Sequence, residues 1–244
     1  GRAWSIVRPW AYRLADRIVV QTERARTYFG PALASRTVRI PNPVDGGPNR
    51  VTTGGGGVVA MGRLDPQKGF DLLLEAFARS PASRPDRRLT IWGEGPERPA
   101  LEALRDRLGL SGMVRLPGVT QDPAGAIRSA DAFVLSSRYE GFPNVLCEAL
   151  ALGVPTVAFD CPAGPAEILD GGRAGLLVPA GIVEALAATI DRVLDDPSLR
   201  TELARRGLEA VRRYDPETVG RAWDAIVDPL AGRRAVGRPD QAEP

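Results

Sequence analysis

The stretch Val58-Val59-Ala60-Met61-Gly62-Arg63-Leu64-Asp65-Pro66-Gln67-Lys68-Gly69-Phe70-Asp71-Leu72-Leu73-Leu74-Glu75-Ala76-Phe77 contains one complete strand–loop–helix unit. Val58–Met61 is a short uncharged run of the kind buried on both faces of a parallel sheet. Phe70, Leu73, Leu74 and Phe77 fall at i, i+3, i+4 and i+7, which is one face of a helix. The loop between them carries Gly, Asp and Pro, the residues of turns. The same alternation repeats downstream. Strands are expected at residues 89–92, 114–116, 132–135, 156–159 and 176–178. Helices are expected around Leu101, Leu104 and Leu108, at 124–130, 145–152 and 167–169, around Ile182, Leu186 and Ile190, and at 198–213. Strand–helix alternation at this spacing implies an α/β fold, a Rossmann-like, doubly wound, mainly parallel sheet with helices on both faces. Such sheets bind ligands at the carboxyl ends of their strands. The loops after Met61, Trp92, Leu116, Leu135 and Phe159 are therefore the places where chemistry is expected.

Outside this block the pattern changes. Trp4, Val7, Trp10, Ala11 and Leu14 make a helix-like apolar stripe broken at Pro9, followed by a strand at 17–22, a helix to about Phe29 and a strand at 37–40. Pro41-Asn42-Pro43 breaks the chain, and the Gly-rich residues 46–57 read as linker. A last helix carries Val219, Trp223, Ile226 and Leu230. The Arg-, Pro- and Gly-rich stretch 231–244 reads as disordered. The domain reading is 1–43 as the end of one domain, 44–57 as linker, 58–213 as the α/β domain, 214–230 as a final helix and 231–244 as tail.

Composition narrows the function. With 244 residues and 43% hydrophobic content the chain can bury a sizeable core. A formal net charge of +2, with cations dispersed, argues against nucleic acid as a partner. There is no histidine, which removes His-based triads, His metal sites and His general bases from this chain. Cys147 and Cys161 lack metal-ligand spacing, and two cysteines make no disulfide framework, so a reducing cytoplasm is the default. No run of about 18 uncharged apolar residues suggests a spanning helix, and no secretory signal is seen. The chain does not begin with Met and reads as a fragment or a processed chain. Of its 32 cationic residues 31 are Arg and one is Lys, Lys68. A sole lysine in an Arg-rich chain is either chance or a position where a compact point charge serves better than a planar fork.

Two loops carry the chemistry. In residues 62–69, Arg63 and Lys68 flank a Pro-containing turn beside a helix start, where two positive charges suit a diphosphate. The bland alternative is a solvated loop in which Asp65 caps a helix. In Glu140-Gly141-Phe142-Pro143-Asn144-Val145-Leu146-Cys147-Glu148, Gly141 permits close approach of a ligand to the backbone and Pro143 suits a first helical turn. The N–H groups around Phe142, Pro143, Asn144 and Val145, with the helix dipole behind them, can receive phosphate oxygens. Glu140 and Glu148 can accept hydrogen bonds from vicinal hydroxyls, one facing a sugar and the other a ribose. The plain alternative makes Glu140 a helix-start acid and Glu148 a surface acid, though Glu148 sits in an otherwise apolar run. Asp195-Asp196 reads as a solvated helix end before Pro197, and both cysteines read as structural.

Two glutamates separated by seven residues, with Phe142 between them, resemble the signature of retaining GT-B glycosyltransferases of family four. Supporting pieces stand in the family's order. Gly62-Arg63-Leu64 with Lys68-Gly69 resembles its pyrophosphate loop, and Trp92-Gly93-Glu94-Gly95-Pro96 its second Gly-rich loop. Leu116-Pro117-Gly118-Val119, with Thr120, resembles the loop that touches the nucleotide base. The likeness spans about residues 15–228. It implies a nucleotide-sugar donor, with Arg63, Lys68 and the backbone at 142–145 on the diphosphate, Glu140 as the catalytic residue on the sugar hydroxyls, and Glu148 on the ribose. It implies no cofactor and no metal. Pro143 stands where many relatives have Gly. The Phe-Pro-Asn variant, with residues 160–167, resembles members that use UDP-sugars on glycan or lipid-linked acceptors in polysaccharide synthesis. By the same resemblance, 1–43 is the remnant of an acceptor domain whose remainder would carry any peripheral association with the inner face of the membrane. The final helix would pack on that domain. An incomplete cleft leaves a second reading, a chain that binds nucleotide without turnover and self-associates through its two exposed helices.

Overall fold

The computed structural model describes residue 7 and residues 10–45, 55–79 and 87–236. The chain forms two compact units, one made of Gly1–Pro43 with Arg213–Pro244 and the other of Val44–Arg212. In the first unit residues 10–14 are helical, and β1 (Ile18–Val20) pairs in parallel with β2 (Thr37–Arg39). Two short helices, α1 (Glu23–Thr27) and α2 (Gly30–Leu33), connect those strands. Thr22 starts α1 by accepting from the Ala25 amide at 3.2 Å, a hydroxyl N-cap.

The second unit holds β3 (Val58–Met61), α3 (Phe70–Ala78), β4 (Leu89–Trp92), α4 (Arg98–Arg107), β5 (Val114–Gly118), α5 (Pro123–Arg128), β6 (Ala132–Leu135), α6 (Asn144–Ala151), β7 (Thr156–Asp160), α7 (Pro165–Ile168), β8 (Leu176–Pro179), α8 (Val183–Asp195) and α9 (Pro197–Val211). All six strands run parallel in the order β5-β4-β3-β6-β7-β8. The chain steps outward from β3 to β5, then returns to the centre and steps outward again from β6 to β8. The order reverses between β3 and β6, which makes their carboxyl ends the topological switch point at which sheets of this kind bind ligands. Burial on both faces explains the apolar strands: all of β6 is buried, as are Val58, Val59 and Ala60 of β3. The expected face of α3 is the buried one, with Phe70, Leu73, Leu74 and Phe77 all in the core.

Several boundaries differ from those expected, for local reasons. Strand β5 runs through Pro117 to Gly118. It lies at the sheet edge, where a missing N–H costs no ladder bond. Helices α5, α7 and α9 each begin at a proline, which is preorganised for the first helical position. Asp122 and Asp196 cap α5 and α9 through the Gly125 and Leu199 amides, at 2.8 and 2.9 Å. The final helix, α10 (Pro216–Val236), belongs to the first unit and continues through 231–236, the start of the stretch read as disordered. Arg233, Arg234 and Ala235 are good helix formers, and cations suit a helix C-terminus. Residues 237–244, the linker residues 46–54 and Trp4 lie outside the described residues. In the first unit Val7, Trp10 and Leu14, and on α10 Trp223 and Val227, are exposed.

At the β3 exit loop, Gly69 is required by both its conformation and its surroundings. Gly69 starts α3 with φ of 61°, and a Cβ there would lie 2.2 Å from the Ser136 carbonyl oxygen. Gly69→Ala is expected to destabilise the chain by roughly 1–3 kcal/mol, a fall of several degrees in Tm. Gly141→Ala, where a Cβ meets nothing within 4 Å, should melt like the wild type. Thermal unfolding of the two variants side by side checks this contrast.

Candidate functional site

The loops at the β3/β6 switch point are fastened to one another by hydrogen bonds. The backbone ladder continues past the strand ends, from the Gly62 amide to the Trp92 carbonyl (3.0 Å), from Gly93 to Gly118 (2.8 Å) and from Leu64 to Glu94 (2.8 Å). Across the switch, the Arg138 amide donates to the Gln67 carbonyl at 2.8 Å, and Gln67 Nε2 donates to the Tyr139 carbonyl at 3.0 Å. Ser136 Oγ donates to the Lys68 carbonyl at 2.9 Å. The Arg138 guanidinium reaches the Pro66 carbonyl at 2.8 Å and grips the Asp71 carboxylate with two bonds of 2.8 and 2.6 Å. A third loop joins where the Glu140 amide donates to the Pro162 carbonyl at 3.2 Å.

At the centre lies an ion pair. Lys68 Nζ stands 2.7 Å from Glu140 Oε1, and the Ser137 hydroxyl donates to the same oxygen at 2.7 Å. The two side chains are 18% and 6% exposed. Lys68 therefore does not sit in a solvated loop, the bland alternative: it is covered, and its ammonium is paired with Glu140 on the exit loop of β6. Arg63 does, with its side chain 73% exposed and 2.7 Å from Asp65. Asp65 also caps the turn Pro66–Lys68 by accepting from the Lys68 amide. The capping role and the two cations thus coexist. Cys161 is buried beside this pair, and its thiol is pushed up to about 11 by loss of solvation and then by the Glu140 charge. It remains a neutral thiol rather than a nucleophile.

Helix α6 begins next to the pair. Its N-cap is Pro143, which offers no side-chain cap, and the Leu146 amide turns back to the Pro143 carbonyl at 3.0 Å; the positive end of the helix dipole lies there, just after the loop that carries Glu140. Pro143 is buried, Phe142 and Val145 are half-buried, and Asn144 is exposed. Gly141 fronts open space, which leaves room for a ligand against the backbone. Leu146, Cys147, Ala149 and Leu150 face the core, while Glu148, one turn into the helix, lies on the outward stripe. That explains how a carboxylate fits an apolar run. Glu148 makes no ion pair among the described residues, and although the residue is exposed, partial loss of solvation around its carboxyl raises its pKa. Val119 and Thr120 follow β5 at the far edge of the sheet. Val119 is exposed, and Thr120 Oγ1 accepts from the Asp122 amide at 3.0 Å.

The sequence reading missed the residues that hold this arrangement. Ser137 is buried, like Ser136 before it, directly after an all-apolar strand; Ser136 belonged to the run that leads into the glutamate motif by resemblance, whereas position was the only signal for Ser137. Arg98 spans four partners, Glu94, Glu102 and the carbonyls of Leu116 and Gly93, and so fixes the second Gly-rich loop. Its spacing of four residues from Glu94 and from Glu102 signals the two ion pairs but not the two carbonyls. A cavity of about 320 Å³ borders Asp65, Phe70, Asp71 and Arg138 but is lined by neither Lys68 nor Glu140. The candidate site is thus defined by its chemistry rather than by enclosure. Among the described residues no three His, Cys, Asp or Glu side chains are grouped to hold a metal, and no helix is long and apolar enough to cross a membrane.

Residues 52–210, which include every residue of this site, match the family model for glycosyl transferases group 1. The chain belongs to that family. It is 37% identical over 224 residues to an exopolysaccharide phosphotransferase of Streptomyces coelicolor, covering 90% of this chain and 24% of that protein. It is 35% identical over 243 residues to the phosphatidyl-myo-inositol mannosyltransferase of Mycolicibacterium smegmatis, covering 93% and 60%. The chain thus spans a quarter to three fifths of these relatives. Its fold matches S. aureus TarM, solved with UDP, at a TM-score of 0.83 and 22% identity, covering 91% of this chain and 46% of TarM. The group 1 transferase fold here is therefore the Rossmann-like α/β fold expected.

Two predictions follow from the electrostatics. Lys68→Ala leaves the Glu140 charge buried without its cation and is expected to cost roughly 1–3 kcal/mol of stability, most of it recovered in Lys68→Ala/Glu140→Gln. Arg63→Ala should stay within about 0.5 kcal/mol of wild type. Chemical denaturation of the three variants checks both statements. For Glu148, a pKa raised by this loss of solvation means that the native state binds the proton more readily than the unfolded chain. The carboxylate's contribution to stability is thus fully present at low pH and is lost as pH rises through its native pKa. Glu148→Gln should raise Tm at neutral pH, and the advantage should vanish below about pH 4, the unfolded carboxylate range.

Proposed function

We propose that the Val44–Arg212 unit binds the nucleotide-diphosphate-sugar donor of a retaining glycosyltransferase of family four. The observation that carries this reading is the Lys68–Glu140 pair at the sheet's switch point, beside the uncapped start of α6. A diphosphate brings two negative charges to a place that already holds a covered cation, an exposed cation and a helix N-terminus. Arg63, Lys68 and the backbone of Phe142, Pro143, Asn144 and Val145 hold its oxygens. Glu140 holds the sugar hydroxyls, Glu148 the ribose, and the backbone at Val119 and Thr120 the base. The solved UDP complex of TarM supports UDP as the nucleotide, and the names of the curated relatives support glycan or lipid-linked acceptors.

In this reading the acceptor oxygen attacks the anomeric carbon on the face from which the diphosphate departs. The bond from that carbon to the phosphate oxygen breaks, and its electron pair leaves with the nucleoside diphosphate. A donor phosphate oxygen takes the acceptor's proton, so no side-chain base is used and configuration is retained. Cations and the helix dipole stabilise the departing charge without metal or cofactor. We place the reaction in the cytoplasm, where buried cysteines outside any disulfide, such as Cys147 and Cys161, persist, at the inner face of the membrane when the acceptor is lipid-linked.

Calorimetric titration with UDP, UDP-sugars and GDP-sugars tests this. Arg63→Ala and Lys68→Ala should each weaken nucleotide binding by roughly 1–3 kcal/mol, and Lys68→Arg should weaken it as well. Glu140→Gln should affect the sugar nucleotide more than the free nucleotide, whereas Glu148→Gln should affect both. Unchanged affinity in both Ala variants removes the diphosphate assignment. Equal ratios in the two glutamate variants remove the division of roles.

A further inference from the structure

Glu140 is held by two donors of different kinds, both on Oε1. Lys68 reaches it with an ammonium at the end of a flexible stem, and the proposed function asks that same ammonium to serve the diphosphate. Ser137 has one rotatable bond, is 1% exposed and lies three residues away on the same loop. Its backbone is pinned on both sides, by Ser136 Oγ on the Lys68 carbonyl, by the Arg138 amide on the Gln67 carbonyl and by the Glu140 amide on the Pro162 carbonyl. The other ionisable neighbours offer Glu140 no replacement. Cys161 is a neutral buried thiol, and Asp160 beyond it carries charge of the same sign.

We propose that Ser137 is the positioning residue for Glu140: its hydroxyl holds Oε1 so that the second carboxylate oxygen stays turned toward the donor sugar while Lys68 turns to the diphosphate. A carboxylate held only by Lys68 loses its orientation when that ammonium is shared with phosphate. The rigid serine keeps it in one rotamer through the exchange, and the site does not reorganise as donor enters. Ser137 touches neither donor nor acceptor and acts through Glu140 alone. This rests on the reading of Glu140 as the residue that holds the sugar.

The test measures preference, the ratio of affinities for a sugar nucleotide and its free nucleotide. The pair is the tightest that wild type binds among UDP- and GDP-sugars. Ser137→Ala should lower that preference about five- to tenfold with free-nucleotide affinity unchanged. Ser137→Cys, close in size and a weak donor, should reproduce the loss without emptying the position, and Ser137→Thr should restore the preference. The double variant Ser137→Ala/Glu140→Gln should lose no more than Glu140→Gln alone, because both act through one carboxylate. Equal weakening of both ligands, an unchanged preference in the Ala and Cys variants, or additive losses in the double variant would overturn the proposal while leaving the donor site in place. A wild type that binds nucleotide with no sugar preference, or a Glu140→Gln variant that keeps it, removes the Glu140 reading and this proposal together.

Discussion

The Lys68–Glu140 ion pair spans the place where the strand order of the sheet reverses, and the surrounding structure holds those two groups 2.7 Å apart. Lys68 arrives at the end of β3 through a capped turn, with Asp65 holding its amide. Glu140 arrives at the end of β6 on a loop that is bonded to the first at Gln67, Pro66 and Lys68 itself. Neither charge would be stable there alone. A carboxylate with its side chain only 6% exposed requires a cation and a hydroxyl, and it has one of each. Pairs of this kind add little net stability over an apolar replacement, but they are costly to break singly. That asymmetry suits the anion-binding role proposed for this site: the cation is already in place, and only its partner has to change.

The parallel sheet is what makes the geometry available. Strands β3 and β6 are neighbours in space and are separated in sequence by two strands and their helices, so residues 68 and 140 meet without a local turn. Helix α6 adds its N-terminus at the same point, because the segment after Glu140 turns at once into a helix that Pro143 cannot cap. Positive potential thus comes from three sources with different reach. Arg63 is solvated and screened, Lys68 is covered and strong at short range, and the helix end is fixed in direction.

Much of this was legible in the sequence. The alternation of apolar strand runs with 3.6-period helices is a backbone constraint written many times over, and every strand of the six-stranded sheet appeared where its run stood. The loop residues that carry charge were also legible, because Lys68 is the only lysine and Glu140 and Glu148 bracket a helix start. The partners were not. Whether Lys68 is exposed or covered depends on β6, which lies far away in sequence. Ser137 looked like any loop serine until burial gave it a single acceptor. Arg98 and Arg138 are two arginines among many, and only the fold shows that each ties loops together. Periodicity reports which residues face inward; it does not report which inward-facing polar groups meet.

The single lysine also makes the central claim directly observable. In a chain labelled with [¹³Cε,¹⁵Nζ]-lysine, the only side-chain signal of its kind comes from Lys68. Titration with UDP should move that signal saturably, because the ammonium gains phosphate oxygens while keeping or loosening its bond to Glu140. The same titration of Glu140→Gln should start from a different chemical shift and still respond. A Lys68 signal that stays fixed while UDP demonstrably binds elsewhere on the chain would contradict the account.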